Sequence, residues 1–192
     1  MSEPEELLAL QIQSRLDLSA YILQLSWSLS HDVAENVHLG RYLRTLAVRI
    51  GGLAEPRMDR GRTVTSLPTW ELIGRMLREA QVGSLESRPA SEVAGLSGQG
   101  AESGWCARLS LSQAVWEIES SEDLAAFVMQ LSGDVEEQPG TWENPELGRY
   151  LEALAAWTRD MDGYFKNRGE EVPARPTWRL VGMMLLAAKY YE

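Results

Sequence analysis

The sequence predicts an all-α protein built from two pseudo-symmetric copies of one three-helix module that pack together. Two observations lead to this prediction. Many residues of the first half recur in the second half at a constant offset of 108, so one architecture is encoded twice. Within each copy, apolar residues follow the three-to-four-residue spacing of an amphipathic helix, and capping residues precede them.

The repeat is clearest in three short motifs at matching places in the two halves. They are LGRYL at residues 39–43 and 147–151, PTW at residues 68–70 and 176–178, and QLS at residues 24–26 and 130–132. The last pair is offset by 106 rather than 108, which places two extra residues in the first loop of the second copy. We therefore interpret the chain as a tandem duplication.

The first helix of each copy is predicted to begin near Asp17 or Ser121. In the second copy, Ser120 and Asp123 have the spacing of a capping box, in which each side chain bonds the other's backbone N–H. The matching apolar residues that follow indicate that both copies bury the same face of this helix.

The second helix is predicted to begin behind Asn36 in the first copy and behind Asn144 in the second. Asn144 precedes Pro145, and proline is favoured at the first helical position. The third helix is predicted to follow the PTW motif, with Thr69 or Thr177 as its N-cap. Residues 162–175, rich in Gly, Asn and Pro, are predicted to form the loop between the second and third helices.

The predicted organisation is a first repeat at residues 1–81, a flexible linker at residues 82–104 and a second repeat at residues 105–192. A short helix is expected at residues 5–15, and residues 105–118 fit either a strand-like arm or a short helix. Because a module of this size buries little surface alone, we expect the copies to pack together. Two independent units remain the alternative.

The chain carries a net charge of −10, and residues 113–192 account for most of it, with 15 acidic and 7 basic residues and hence −8. Such a surface repels nucleic acid and attracts basic partners. Cys106 is the single cysteine, which fits a reducing compartment. The sequence begins with acidic residues and has no apolar run near the ~20 residues that span a bilayer. We expect a cytoplasmic protein without membrane association.

The candidate binding residues lie mainly where the second helix of copy two is predicted to end. There Asp160 and Asp162 would face the negative end of the helix dipole, which is unfavourable without a partner. The first copy has Gly52, Ala54 and Pro56 at the positions of Asp160, Asp162 and Tyr164, so the acidic segment exists once. The predicted contact set is Trp157, Asp160, Asp162, Tyr164, Asn167, Glu170 and Glu171, with Glu136, Glu137 and Glu143 around it.

Other roles for these residues are weaker. The two aspartates would cap the loop in a purely structural reading, and an Asp-x-Asp-Gly sequence without the remaining ligands is a poor calcium loop. His31 and His38 lack a ligand cluster, and Cys106 has no histidine in its own half to act as a base. We therefore predict no catalytic residue, no metal and no cofactor. A separate role for the arginines of the first copy, Arg57, Arg60 and Arg62, is left open.

Residues 119–192 resemble a bacterial helical domain family of unknown function. The resemblance rests on WEN at residues 142–144, on residues 147–154, on PTW at residues 176–178 and on AAKYYE at residues 187–192. It implies a small binding partner of the kind found near toxin–immunity loci.

Taken together, these features predict a non-catalytic acidic binding protein, most specifically an immunity protein. It would neutralise a cognate bacterial toxin, itself basic, by covering the active or substrate-binding site. We expect a monomer or weak dimer. The alternative is a scaffold or regulatory adaptor that presents two surfaces to partner proteins. A metal-dependent enzyme using Asp160 and Asp162 is the third hypothesis.

Overall fold

A computed structural model describes residues 12–31, 38–53, 58–59, 62–63, 67–85 and 110–191. Within these ranges the protein is all-α, as predicted. The helices are α1 (Arg15–His31), α2 (Leu39–Gly51), α3 (Trp70–Leu85), α4 (Leu111–Ala114), α5 (Ser121–Glu137), α6 (Leu147–Asn167) and α7 (Trp178–Ala187). Short 3-10 turns occur at Val115–Glu117 and Pro139–Thr141. The strand pairing in the described ranges is a two-residue hairpin between Met58–Asp59 and Arg62–Thr63.

Four helix starts have side-chain caps, of which those at Ser120, Thr69 and Thr177 were predicted. Ser120 and Asp123 form the predicted capping box at the start of α5, and Ser14 and Asp17 make the same bonds before α1. The hydroxyl of Thr177 accepts the Leu180 N–H at 3.1 Å, and that of Thr69 accepts the Leu72 N–H at 3.1 Å. These bonds satisfy N–H groups that have no partner within the helix.

The predicted caps of the second helices are wrong. The helices α2 and α6 begin after His38 and Glu146, which have extended backbones and no side-chain cap. Asn36 lies outside the described residues and precedes the N-cap position. Asn144 instead donates its side-chain amide to the carbonyls of Ala188 at 3.1 Å and Tyr191 at 2.8 Å. It therefore holds the C-terminal turn rather than a helix start.

The helices of one half pack mainly against helices of the other half. The two most extensive contacts join α2 to α5 and α1 to α6. Contacts between α1 and α2, and between α5 and α6, are slight by comparison. A single cluster of buried apolar side chains consequently runs through both halves of the described chain. Each half covers the core face of the other.

Matched positions make matched contacts inside the two halves. The hydroxyl of Tyr42 donates to the Leu77 carbonyl at 3.2 Å, and that of Tyr150 donates to the Leu185 carbonyl at 2.7 Å. A Cβ atom at Gly74 would collide with Ile12, and one at Gly182 with Ile118. Both glycines thus let the isoleucine that precedes the first helix of the same half lie against the third helix. The tandem duplication stays a prediction because it concerns descent rather than geometry.

The segments around the predicted linker differ from expectation. The helix α3 continues to Leu85, so residues 82–85 are helical, and residues 86–109 lie outside the described ranges. Residues 110–118 form α4 and a 3-10 turn, which agrees with the short-helix alternative and not with a strand-like arm. Val115 and Ile118 are buried against α7. Of the expected helix at residues 5–15, only the last four residues are described, and residues 12–14 are not helical.

None of the described helices contains a stretch that is both long enough and apolar enough to cross a membrane.

Candidate binding surface

Asp160 and Asp162 lie inside α6 and not in a loop after it. The helix continues because Met161 and Phe165 supply two further buried positions beyond Trp157. It ends in a Schellman motif, in which Glu170 N–H bonds the Phe165 carbonyl and Gly169, with φ of 69°, adopts the left-handed conformation. The predicted loop start at residue 162 is therefore wrong, and the loop begins at residue 168. The predicted conflict with the helix dipole does not arise, because that effect is confined to the last turn.

The acidic groups of this segment are paired with arginines of the same chain. The Asp162 carboxylate meets the Arg15 guanidinium at 2.6 Å, which links α6 to α1. Asp160 accepts from Arg159 Nε at 3.0 Å and from the Tyr191 hydroxyl at 3.1 Å. These bonds, that from Arg159 first, hold the pKa of Asp160 below its usual value. Neither aspartate caps the loop backbone or belongs to a calcium loop.

Glu170 shares this behaviour, since it accepts from Arg168 Nε at 2.9 Å. The bond to Glu170 is the largest cause of a raised pKa at Arg168. Asn167 and Glu171 are exposed at the end of α6 and in the following loop. Of the predicted acids at this end of α6, only Glu171 has no ion-pair partner among the described residues.

An aromatic cluster lies beside these ion pairs. Trp157 is only 7% exposed and is a core residue, with its ring 5.9 Å from that of half-buried Tyr164. The Arg168 guanidinium lies 5.3 Å from the ring of Trp116 and 5.5 Å from that of Tyr164. Such cation–π contacts fix the 3-10 turn to the end of α6. The buried Trp157 ring packs against Tyr164 on the core side. The aromatic surface of this cluster that solvent can reach is therefore formed by Tyr164 and Trp116. The sequence argument missed the role of Trp116.

The remaining predicted residues lie near the other end of α6. Glu136 accepts from Arg44 at 2.9 Å through both of its oxygens, which links α5 to α2. A Cβ atom at Gly40 would come within 2.7 Å of the Glu136 side chain, so this glycine makes room for the ion pair. Glu137 and Glu143 are exposed and have no cationic partner among the described residues. The structure thus separates the predicted site into two groups, at opposite ends of α6.

The sequence prediction did not include one feature of the charge pattern, which is a long run without basic residues. Residues 109–148, here called the acidic segment, contain nine Asp and Glu residues and no Lys, Arg or His. The run includes α4, α5 and the connection from α5 to α6. Two of the nine acids have cationic partners in the described structure, namely Asp134 with Lys189 and Glu136 with Arg44. Six others are exposed, at positions Glu117, Glu119, Glu122, Glu137, Glu143 and Glu146.

The motifs that carry the family resemblance form a structural clamp. Lys189 is 4% exposed, and its ammonium donates to Asp134 at 2.7 Å. Asp134 also accepts from the Trp142 indole at 2.7 Å, whose ring lies 5.0 Å from the Lys189 ammonium. With the two bonds from Asn144, these contacts fix the C-terminal turn against the α5–α6 connection. This arrangement explains the WEN and AAKYYE motifs without a ligand.

Among the described residues, no group of three or more His, Cys, Asp and Glu side chains is arranged to hold a metal ion.

Comparison with known proteins places a family match on the second half. Residues 120–192 match the model of DUF7660, a family of unknown function. The match covers α5, α6, α7 and the clamp, which is less than half of the chain. No curated protein and no solved structure matches the chain. The second half is therefore similar to a helical family to which no activity is assigned, and the function has to be argued from the surfaces of this molecule.

Proposed function

We propose that the protein is a non-catalytic binding protein whose acidic segment recognises a basic surface on another protein. The supporting observation is that Glu137, Glu143 and Glu146 are exposed and have no ion-pair partner among the described residues, within a run that contains no basic residue. These three acids lie within ten residues of each other around the α5–α6 connection. The clamp and the adjoining helices hold that connection, so the carboxylates are presented on a rigid support.

The proposed centre of recognition differs from the one that the sequence alone favoured. Asp160, Asp162, Glu170 and Glu136 are already neutralised by arginines of the same chain. A partner would have to break those ion pairs to bind the carboxylates. Replacing one exposed ion pair by another contributes little binding free energy. Unpaired acids raise the local concentration of a basic partner and orient it before contact. Tyr164 and Trp116 are the aromatic residues available to anchor such a partner at the other end of α6.

The more specific form of the proposal is an immunity protein that neutralises a bacterial toxin. Toxins that act on nucleic acids have basic substrate-binding surfaces, and an acidic inhibitor competes for the same charges. This form follows the expectation, drawn from the sequence resemblance of residues 119–192, of a small binding partner of the kind found near toxin–immunity loci. A protein partner also fits the charged surface beside the clamp, because exposed carboxylates are suited to contact a basic protein surface.

The test begins with capture of a partner by the tagged full-length chain from its native cell and identification by mass spectrometry. The triple variant Glu137→Gln, Glu143→Gln, Glu146→Gln is then compared with the wild-type chain. We expect the association rate constant at low salt to fall by about tenfold, with a weaker dependence on salt. The melting temperature should not change, since none of the three forms an ion pair within the part of the chain that the structure describes.

The control is the double variant Asp160→Asn, Asp162→Asn, which removes two acids that arginines already neutralise. We expect at most about a twofold change in its association rate. A larger effect from the control than from the triple variant would move the surface to α6, and equal binding by all three proteins would remove charge recognition altogether. A captured partner without a basic surface would contradict the proposal at the first step.

The two-surface adaptor is the second candidate, and it is favoured by the exposed apolar side chains of α1. Leu16, Leu23 and Trp27 are 54%, 41% and 68% exposed. They lie in the half that lacks the acidic segment. An adaptor would hold two different proteins at once, so a ternary complex in a pull-down would favour it, whereas a single basic partner favours the immunity protein.

A further inference from the structure

The helix α1 carries an apolar stripe on the side that faces away from the core. The stripe consists of Leu16, Ala20, Leu23 and Trp27, which are all exposed. Their spacing of four, three and four residues places them on one face of the helix. The opposite face is fully used, since Leu18, Ile22 and Leu25 are buried in the core.

The fold does not require this stripe. The matching positions on α5, which occupies the same place in the second half, are Glu122, Ala126, Met129 and Gly133. There the apolar character is broken by a charge at one end and by a glycine at the other. A large indole that is 68% exposed is unfavourable in water, and a run of such residues on one face indicates an interaction surface.

The charge of α1 does not attract the kind of partner proposed for the acidic segment. The helix α1 contains one Arg and one Asp and no other Asp, Glu, Lys or Arg, whereas α5 contains five acids and no base. Beside α1, the Asp162 charge of α6 is balanced by Arg15 at 2.6 Å. A basic partner is therefore steered to α5. A second copy of the chain, whose net charge is −10, meets less repulsion at α1 than at α5.

We propose that the stripe pairs with the same stripe of a second copy of this chain. Apolar residues spaced four and three apart form the seam along which two helices pack, and Ala20 lets the backbones approach closely. Because the surface is the same on both molecules, the contact is two-fold symmetric and closes after two copies. A seam of four side chains is smaller than the about 800 Å² per partner of a stable interface, so the dimer dissociates on dilution.

Sedimentation velocity of the full-length chain over a roughly hundredfold range of concentration tests the proposal. We expect the mass to rise from the 21.5 kDa of one chain towards twice that value. Leu23→Glu places a charge in the middle of the seam and should keep the protein monomeric throughout the range. Met129→Glu is the matched control, since Met129 holds the same position on α5 and is also exposed, and it should behave like the wild-type chain.

Three outcomes would overturn the proposal. The first is a wild-type mass that stays at one chain across the whole range. The second is an equal effect of the two substitutions, which would make the association an unspecific response to charge. The third is a lower melting temperature in dilute solution for Leu23→Glu and not for Met129→Glu, which would show that the chain's own residues cover the stripe.

Discussion

The two halves of this protein share their interior and differ in what they place around it. The clearest contrast lies between the first and third helices of each half. In the second half Lys189 donates to Asp134 at 2.7 Å. In the first half the matching residues are Gln81 and Ser28, and the Gln81 amide donates to the Ser28 hydroxyl at 3.3 Å. One position in the fold thus accepts an ion pair or a neutral hydrogen bond.

This replacement of an ion pair by a neutral hydrogen bond shows that the helical fold can form without the charges found in the second half. Most acids of α5 and α6 have neutral or basic residues at the matching positions of the first half. The same holds for length, since α2 ends at Gly51, whereas α6 continues to Asn167. The extra turns contain both the added core residues Met161 and Phe165 and the paired acids Asp160 and Asp162.

Matched core truncations would break the comparison most strongly. Leu18 and Leu124 hold equivalent positions, and both are fully buried. We expect Leu18→Ala and Leu124→Ala each to lower the free energy of unfolding by about 3–4 kcal/mol, because each leaves a cavity. Urea denaturation followed by circular dichroism should show one transition for both variants. Two separate transitions, or a loss confined to one half, would show that the halves do not share a core.

The ion pair of the clamp offers the next largest effect. We expect Asp134→Ser to cost about 2 kcal/mol, because it leaves the buried Lys189 ammonium and the Trp142 indole without their acceptor. The double variant Asp134→Ser, Lys189→Gln copies the first half and should regain at least half of that loss. Thermal unfolding of the single and double variants measures both quantities. A double variant less stable than the single one would mean that the two halves are not interchangeable here.

The buried tyrosine hydroxyls allow a finer comparison of the two halves, with a smaller expected loss of stability. Tyr42→Phe and Tyr150→Phe each remove one hydrogen bond to a carbonyl of the third helix. We expect each to cost about 1 kcal/mol. Since the Tyr150 bond of 2.7 Å is shorter than the Tyr42 bond of 3.2 Å, the second-half variant should lose more. Chemical denaturation resolves the pair, and a reversed order would contradict this reading of the distances.

The smallest effect is a dependence on pH that arises at Asp160 of the second half. Because the folded-state pKa of Asp160 lies below the usual 3.8, its charged form stabilises the fold above that pH. The stabilisation disappears as the pH falls through the folded-state value. Asp160→Asn should therefore melt slightly below the wild-type chain at neutral pH and at the same temperature in strong acid. A difference in melting temperature that stays constant across the pH range would show that the bonds from Arg159 and Tyr191 do not stabilise the charged form of Asp160.

The framework was predictable from sequence because it depends on local signals. The PTW motif, the Ser120–Asp123 spacing and the apolar spacing of α6 each specify a helix start or a buried face, and the structure has them where expected. The start of α6 was misplaced because Asn144 looks like a cap in sequence. Its partners, Ala188 and Tyr191, are more than forty residues away, and no local pattern identifies them.

The candidate site was less predictable for the same reason. An acid at position 162 is an unpaired charge in sequence, and its partner Arg15 lies 147 residues earlier. The neutralisation of Asp162 and Glu136 depends on the packing of α1 on α6 and of α2 on α5. Asp160 and Glu170 instead pair with arginines one and two residues away in sequence. By contrast, the absence of basic residues from 109 to 148 can be read directly, and it was missed because motif searches look for residues that are present.

The exchange of partners between the halves has a consequence for biosynthesis. The helices α1 to α3 are translated first, but the sides of α1 and α2 that point inward are covered by α6 and α5. A nascent chain that has reached Leu85 therefore exposes apolar faces of α1 and α2 that α3 covers only in part. Closure must wait for about eighty more residues. During that interval the emerging first half is a natural client for a chaperone.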